Sequence, residues 1–121
     1  MTSESRAFVA LVSGQLAQQK KAGSISEVGG GQTYTFEGSR GSFETTPQQR
    51  TCGVVRDFAA ANYCLRDPGG REHICLSLYG QLFEGFDHGS ASHFNGYVDG
   101  PEITLYDFAD SDYFSYSITE Q

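Results

Sequence analysis

The stretch ASHFNGYVDGPEITLYDFADSDYFSYSITE, residues 91 to 120, decides the fold. His93, Asn95 and Tyr97 alternate with Phe94, Gly96 and Val98, the period of two that a sheet with two different faces imposes. Asp99-Gly100 then turns the chain: glycine tolerates positive φ, Asp bonds locally, and Pro101, which lacks an N–H, suits the start of a strand. Ile103, Leu105 and Asp107 alternate with Thr104, Tyr106 and Phe108. Asp110-Ser111-Asp112 turns again, and Phe114, Tyr116 and Ile118 alternate with Tyr113, Ser115 and Ser117. The reading is a three-stranded meander rich in Tyr and Phe.

Upstream, residues 62 to 66 and 73 to 79 read as strands joined by the turn Asp67-Pro68-Gly69-Gly70, with Ile74, Leu76 and Leu78 on one side and Cys75, Ser77 and Tyr79 on the other. Gly80 bends or bulges the second strand before Leu82, Phe83 and Phe86 continue it. Residues 33 to 36 form a short strand between glycine breaks, while residues 52 to 61 read equally as strand and as helix, because β-branched residues and alanines compete there. The triple glycine at 29 to 31 lacks the Gly-Lys-Ser/Thr ending of a phosphate-cradling loop and reads as a turn.

Near the start, Phe8, Val12 and Leu16 recur at helical spacing after Ser3 or Ser5 as cap, Lys20-Lys21 suit the negative end of a helix, and Gly23 suits its left-handed cap. A helix over residues 5 to 22 follows, although Gly14 weakens it and the run Phe-Val-Ala-Leu-Val also fits a strand. The expected class is α+β in a single domain spanning residues 1 to 121, with a β-rich part from 32 to 120. One helix covers a twisted antiparallel sheet of about five to seven strands, curled toward a barrel.

With 38% hydrophobic and 19% charged residues the chain suits a packed core rather than disorder. No apolar run approaches the roughly 18 residues of a membrane span, and an acid precedes the first apolar run where an export signal carries a base. Three cysteines, Cys52, Cys64 and Cys75, make an odd count, and no glycosylation sequon occurs, so a cytoplasmic, reduced protein is expected. If Gly69-Gly70 centres the loop, Cys64 stands opposite Cys75; if Pro68-Gly69 does, the thiols part. No Cys-x-x-Cys or His-x-x-x-His spacing is present, so neither metal nor cofactor is expected and the thiols read as small hydrophobes.

Charge is distributed unevenly. Residues 1 to 71 hold all eight Lys and Arg against six acids, while residues 72 to 121 hold nine acids and no Lys or Arg. Such a segment attracts cationic partners and repels phosphate, which argues against direct nucleic-acid binding. Tyr97, Tyr106 and Tyr113 fall on the parity opposite Val98, Leu105 and Phe114, so a Tyr patch ringed by acids is expected. The candidate partner-binding residues are Tyr97, Asp99, Glu102, Tyr106, Asp107, Asp110, Asp112 and Tyr113. The expected function is that of a non-enzymatic acidic binding protein or inhibitor docking on a basic protein, including a nucleic-acid-binding one whose phosphate site it fills by charge imitation.

The alternative is a small enzyme or ligand binder at GFDHGSASHF, residues 85 to 94, where His88 and His93 share acid and base duties and Asp87 orients them. Against it, all these groups lie in one turn, whose Gly, Ser and Asp are also what turn geometry needs, and no Gly-x-Ser-x-Gly elbow is present.

Overall fold

Thr2 starts the helix. Its Oγ1 accepts the Ser5 N–H at 3.0 Å and its carbonyl accepts the Arg6 N–H at 2.9 Å, so the cap lies one residue before the earliest serine expected to provide it. The computed structural model describes residues 1–18, 22–29, 32–35, 43–45, 61–66 and 73–120. Helix α1 spans Ser3–Gln18, ending short of the expected residue 22 because Ala22 already opens strand β1, Ala22–Glu27. Gly23 is thus a strand residue and not a helix cap. Pairing of β1 with the last strand from Ala22↔Glu120 to Glu27↔Tyr116 gives this backbone its hydrogen-bond partners in the sheet instead of in the helix.

Eight further strands are described: β2 Thr33–Thr35, β3 Phe43–Thr45, β4 Ala61–Arg66, β5 His73–Tyr79, β6 Leu82–Asp87, β7 Ser92–Asp99, β8 Glu102–Asp107 and β9 Asp112–Glu120. They form one antiparallel sheet in the order β2-β1-β9-β8-β7-β6-β5-β4-β3. This exceeds the expected five to seven, partly because Gly80 does not bulge a long strand. With φ of +66° it sits in a tight turn, and β6 folds back on β5 with Tyr79 opposite Leu82. Ala61 belongs to β4, and the choice between helix and strand for residues 52–60 lies outside the described residues, as does the loop 67–70.

The two edge strands are neighbours in the chain. Only seven residues separate Thr35 from Phe43. Nine flat strands would put these edges roughly 38 Å apart, whereas eight peptide links reach at most about 28 Å. The sheet is therefore curled, and α1 lies in its concavity, packed mainly on β1, β8 and β9.

Every residue of α1 from Ser5 to Gly14 is buried, so the expected one-sided apolar stripe is replaced by a helix enclosed all round. Phe8, Leu11 and Val12 meet Ile25, Leu76, Phe83, Phe94, Ile103, Leu105 and Ile118 in one cluster. Truncating such a ring as Phe8 to Ala removes about 3 to 5 kcal/mol of transfer and packing free energy. Gly14 brings the helix close to the sheet: a methyl there would lie 3.1 Å from Ile103 Cδ1 and 3.2 Å from Ile118 Cδ1.

The hairpins β6–β7 and β8–β9 are two copies of one twenty-residue unit. Gly80, Phe83, Asp87, Phe94 and Val98 of the first correspond to Gly100, Ile103, Asp107, Phe114 and Ile118 of the second. The match extends to backbone geometry. His88 N–H donates to the His73 carbonyl at 3.1 Å as Phe108 N–H does to His93, and Val98 N–H donates to Gln81 at 2.8 Å as Ile118 N–H does to Pro101. Ala91 and Ser111, at equivalent loop positions, both take positive φ, 55° and 53°. The register of β4–β5 continues the series, since Arg66↔His73 occupies the place of Phe86↔His93 and Tyr106↔Tyr113.

Candidate binding face

Alternation places Leu82, Glu84 and Phe86 of β6, His93, Asn95 and Tyr97 of β7, Thr104 and Tyr106 of β8, and Tyr113, Ser115 and Ser117 of β9 on the outer face, away from α1. The opposite parity carries the core. Across that core face Gly96 stands opposite Phe83 and Gly85 opposite Phe94, and a methyl added to either glycine would fall 2.5 Å and 2.6 Å from the respective ring Cζ. The missing side chains let two rings fill the concave side while the strands bend around it.

Rings from four strands meet on the outer face. His88 and His93 each set an edge against Phe86, both with centroids 4.9 Å apart. His93 contacts Phe108 at 6.5 Å, Phe108 contacts Tyr106 at 4.9 Å, and Tyr106 contacts Tyr113 at 4.7 Å. The result is one edge-to-face row of six rings running across the strands, a geometry aromatic quadrupoles favour. Tyr113 is 68% exposed and Phe108 49%, so much of this apolar surface faces solvent. Beside the row an open cavity of about 340 Å³ is lined by Tyr79, Leu82, Glu84, Tyr97, Tyr106 and Tyr113, among others. Adjoining it and sharing Glu84 and Asn95 with it, a cavity of about 190 Å³ lies among Cys75, Ser77, Phe86, His93, Asn95 and Phe108.

The three tyrosines expected to share a surface, Tyr97, Tyr106 and Tyr113, do so. Asp99 and Glu102 face each other, exposed, across the Gly100-Pro101 turn, and Asp110, in the loop before β9, and Asp112, its first residue, are exposed. Asp112 Oδ1 accepts the Tyr113 N–H at 2.8 Å.

Asp107 is the exception and has to be removed from the candidate surface. Its side chain is 0% exposed and lies on the core face with Ile103 and Leu105, where its Oδ2 meets Arg6 Nη1 at 3.1 Å and the Met1 amino group at 3.0 Å. Its Oδ1 accepts the Ala109 N–H at 3.0 Å. Arg6 also reaches Asp110 at 2.7 Å, donates to the Met1 carbonyl at 2.8 Å and lies 3.8 Å from the centre of the Phe114 ring. A cation enclosed with the helix needs an enclosed anion, which is why the sheet turns this acid inward. Burial pulls the Arg6 pKa down, but the hydrogen bond to Asp107 and the nearby charges of Tyr116 and Asp107 outweigh it, leaving the pKa raised. Tyr116, beside them in the core, has its pKa pushed up to about 12 by burial, against the opposing pull of Arg6.

Asp87 does not orient the loop histidines as the alternative reading expects. Asp87 is buried and spends its carboxylate on the loop itself, accepting from Gly89 N–H and Ser90 N–H at 3.2 Å and from Ser90 Oγ at 2.8 Å. It is the repeat counterpart of Asp107 and a turn-former, not an orienter. His88 instead places Nε2 3.5 Å from the buried thiol of Cys75. Of the two open registers, the one that sets Cys64 opposite Cys75 is the one observed. Alternation in the sequence showed Cys75 to be on the face of Tyr79; only the fold brings His88 to it. Among the described residues no cluster of three metal-ligating side chains occurs, and no helix is long and apolar enough to cross a membrane.

No family model matches the chain, and neither curated proteins nor solved structures give a match.

Proposed function

We propose that this chain is a non-enzymatic binding protein whose outer sheet face docks on a basic protein surface. The observation that carries the reading is the exposed row of six rings on a segment, residues 72 to 121, without a single Lys or Arg. Exposed Tyr and Phe supply contact area at little entropic cost, and Asp99, Glu102, Asp110 and Asp112 form an anionic rim that selects a cationic partner and disfavours phosphate. A nucleic-acid-binding protein, whose own phosphate site is basic, is the kind of partner this charge suits, by imitation of nucleic acid. The test is capture of a partner at low ionic strength by the native chain and by an Asp110→Asn/Asp112→Asn variant. A basic partner held by the first and released by the second supports the reading; a partner held equally by both, at any salt, refutes it.

A second reading, a small enzyme or ligand binder at the His88 and His93 loop, draws support from the Cys75–His88 contact beside the smaller cavity. Thiol and imidazole in contact are the elements of a nucleophile and its base, with Asp87 taking no part. A folded His88→Gln/His93→Gln variant that keeps partner binding argues for the first reading, and one that loses all function argues for the second.

A further inference from the structure

From the pairing of β4 with β5 we infer that Cys64 and Cys75 are a redox pair, which closes to a cross-strand disulfide by exchange with a small-molecule disulfide while His88 takes the thiol proton. The inference stands apart from the docking reading. The two cysteines are direct partners in the ladder, Cys64↔Cys75, and directly paired residues share one face of a sheet. Opposite α-carbons in an antiparallel ladder stand about 4.5 to 5.5 Å apart, inside the roughly 4.4 to 6.8 Å that a disulfide spans. The rung two residues along, Asn62↔Ser77, is of the same ladder type, and there Ser77 Oγ donates to Asn62 Oδ1 at 2.6 Å. On this face, β4 and β5 are close enough for short side chains to bridge them.

Two further observations separate this pair from inert core thiols. Cys75 is only 4% exposed, yet it lines the smaller outer cavity, through which a small disulfide reaches the sulfur. His88 Nε2, 3.5 Å from that sulfur, is placed to accept its proton, and the thiolate is the attacking species. Oxidation then takes two exchanges. The Cys75 thiolate attacks one sulfur of oxidised glutathione, the S–S bond of the oxidant breaks, and one glutathione leaves as thiolate and takes up a proton. The Cys64 thiolate attacks the Cys75 sulfur of the mixed disulfide, forms the cross-strand bond and expels the second glutathione. The protein loses two electrons and two protons, and oxidised glutathione gains both and ends as two thiols. Reduced glutathione reverses the sequence, so the dithiol is the resting state in a reducing compartment. The bond forms at one end of the row of rings, because Cys75 is the register partner of Phe86.

The test incubates the full chain, purified under reducing conditions, with oxidised and reduced glutathione at stepped ratios, quenches with iodoacetamide and digests with trypsin without reduction. Cleavage after Arg56, Arg66 and Arg71 puts Cys52, Cys64 and Cys75 on separate peptides, so mass spectrometry reads each linkage. The expected product is residues 57–66 joined to residues 72–121, and it should disappear on return to reduced glutathione. In Cys64→Ser the reaction should stop at glutathione on Cys75. A folded His88→Gln should form the native bond about threefold more slowly near neutral pH, with a rate that rises more steeply toward about pH 9, where an ordinary thiol ionises unaided. A link from either cysteine to Cys52, glutathione held on Cys75 while Cys64 is alkylated, or both cysteines alkylated at every ratio would overturn the pair. An unchanged rate and pH profile in His88→Gln would overturn the role of the imidazole.

Discussion

Arg6 in the first turns of the helix and Asp107 at the end of β8, 101 residues apart, form an ion pair of 3.1 Å inside the curled sheet, with the carboxylate fully enclosed. Asp110, at 2.7 Å from the same guanidinium nitrogen, is 49% exposed. The two acids should therefore respond differently to substitution. Asp107→Ala removes the enclosed anion and leaves Arg6 only the solvent-screened Asp110, and should cost about 3 kcal/mol in urea unfolding, whereas Asp110→Asn breaks the screened pair while Asp107 stays and should cost less than about 1 kcal/mol. Equal costs would show that Asp107 does not neutralise the core.

Tyr116 should set an alkaline limit on stability. Its folded pKa of about 12 exceeds the ordinary 10.0, so the neutral phenol is favoured by folding. The contribution is fully present below pH 10 and falls as pH rises from 10 toward 12, by on the order of 2 to 3 kcal/mol in all. Tyr116→Phe cannot ionise, and its unfolding free energy should be flatter over that interval. Since the Tyr116 hydroxyl has no hydrogen-bond partner among the described residues, the same variant should lose little stability at neutral pH. Parallel pH curves for the two proteins would contradict this account.

Gly85 and Gly96 should be the least replaceable glycines of the repeat. A methyl at Gly85 runs into the Cys75 carbonyl oxygen and the Phe94 ring, and one at Gly96 into the Thr104 carbonyl oxygen and the Phe83 ring. Gly85→Ala and Gly96→Ala should each destabilise by about 3 kcal/mol or more, toward the upper end of overpacking effects, because backbone atoms cannot yield as a side chain does. Gly80→Ala and Gly100→Ala meet open space and bear only the strain of positive φ, about 1 kcal/mol or somewhat more. Thermal melts of the four variants check the ranking.

On the docking face, rim charge and ring contact should separate kinetically. Association with the basic partner should slow as salt rises, because the Debye length falls to about 8 Å at physiological ionic strength, and Asp110→Asn/Asp112→Asn should lower the on-rate. Tyr113→Ala should act on the off-rate, costing about 1 to 2 kcal/mol if its ring is an anchor. Surface plasmon resonance at three salt concentrations distinguishes the two effects, and salt-independent association would refute the electrostatic part.

Alternation in the sequence determined the strand faces. It set His93, Asn95 and Tyr97 against Phe94, Gly96 and Val98, and it aligned Asp107 with Ile103 and Leu105 on the core side, because side chains in a strand can only point to one face or the other. Composition alone nevertheless made Asp107 look like a surface acid. Only the tertiary structure gave it Arg6, a partner that no local pattern links to it. The helix ended early for the same kind of reason: Ala22 has a strand partner near the far end of the chain, Glu120, and a distant backbone pairing outweighed local helix propensity. The six-ring row and the tyrosine-lined cavity likewise depend on register between strands, which sequence spacing leaves free and packing around an enclosed helix fixes.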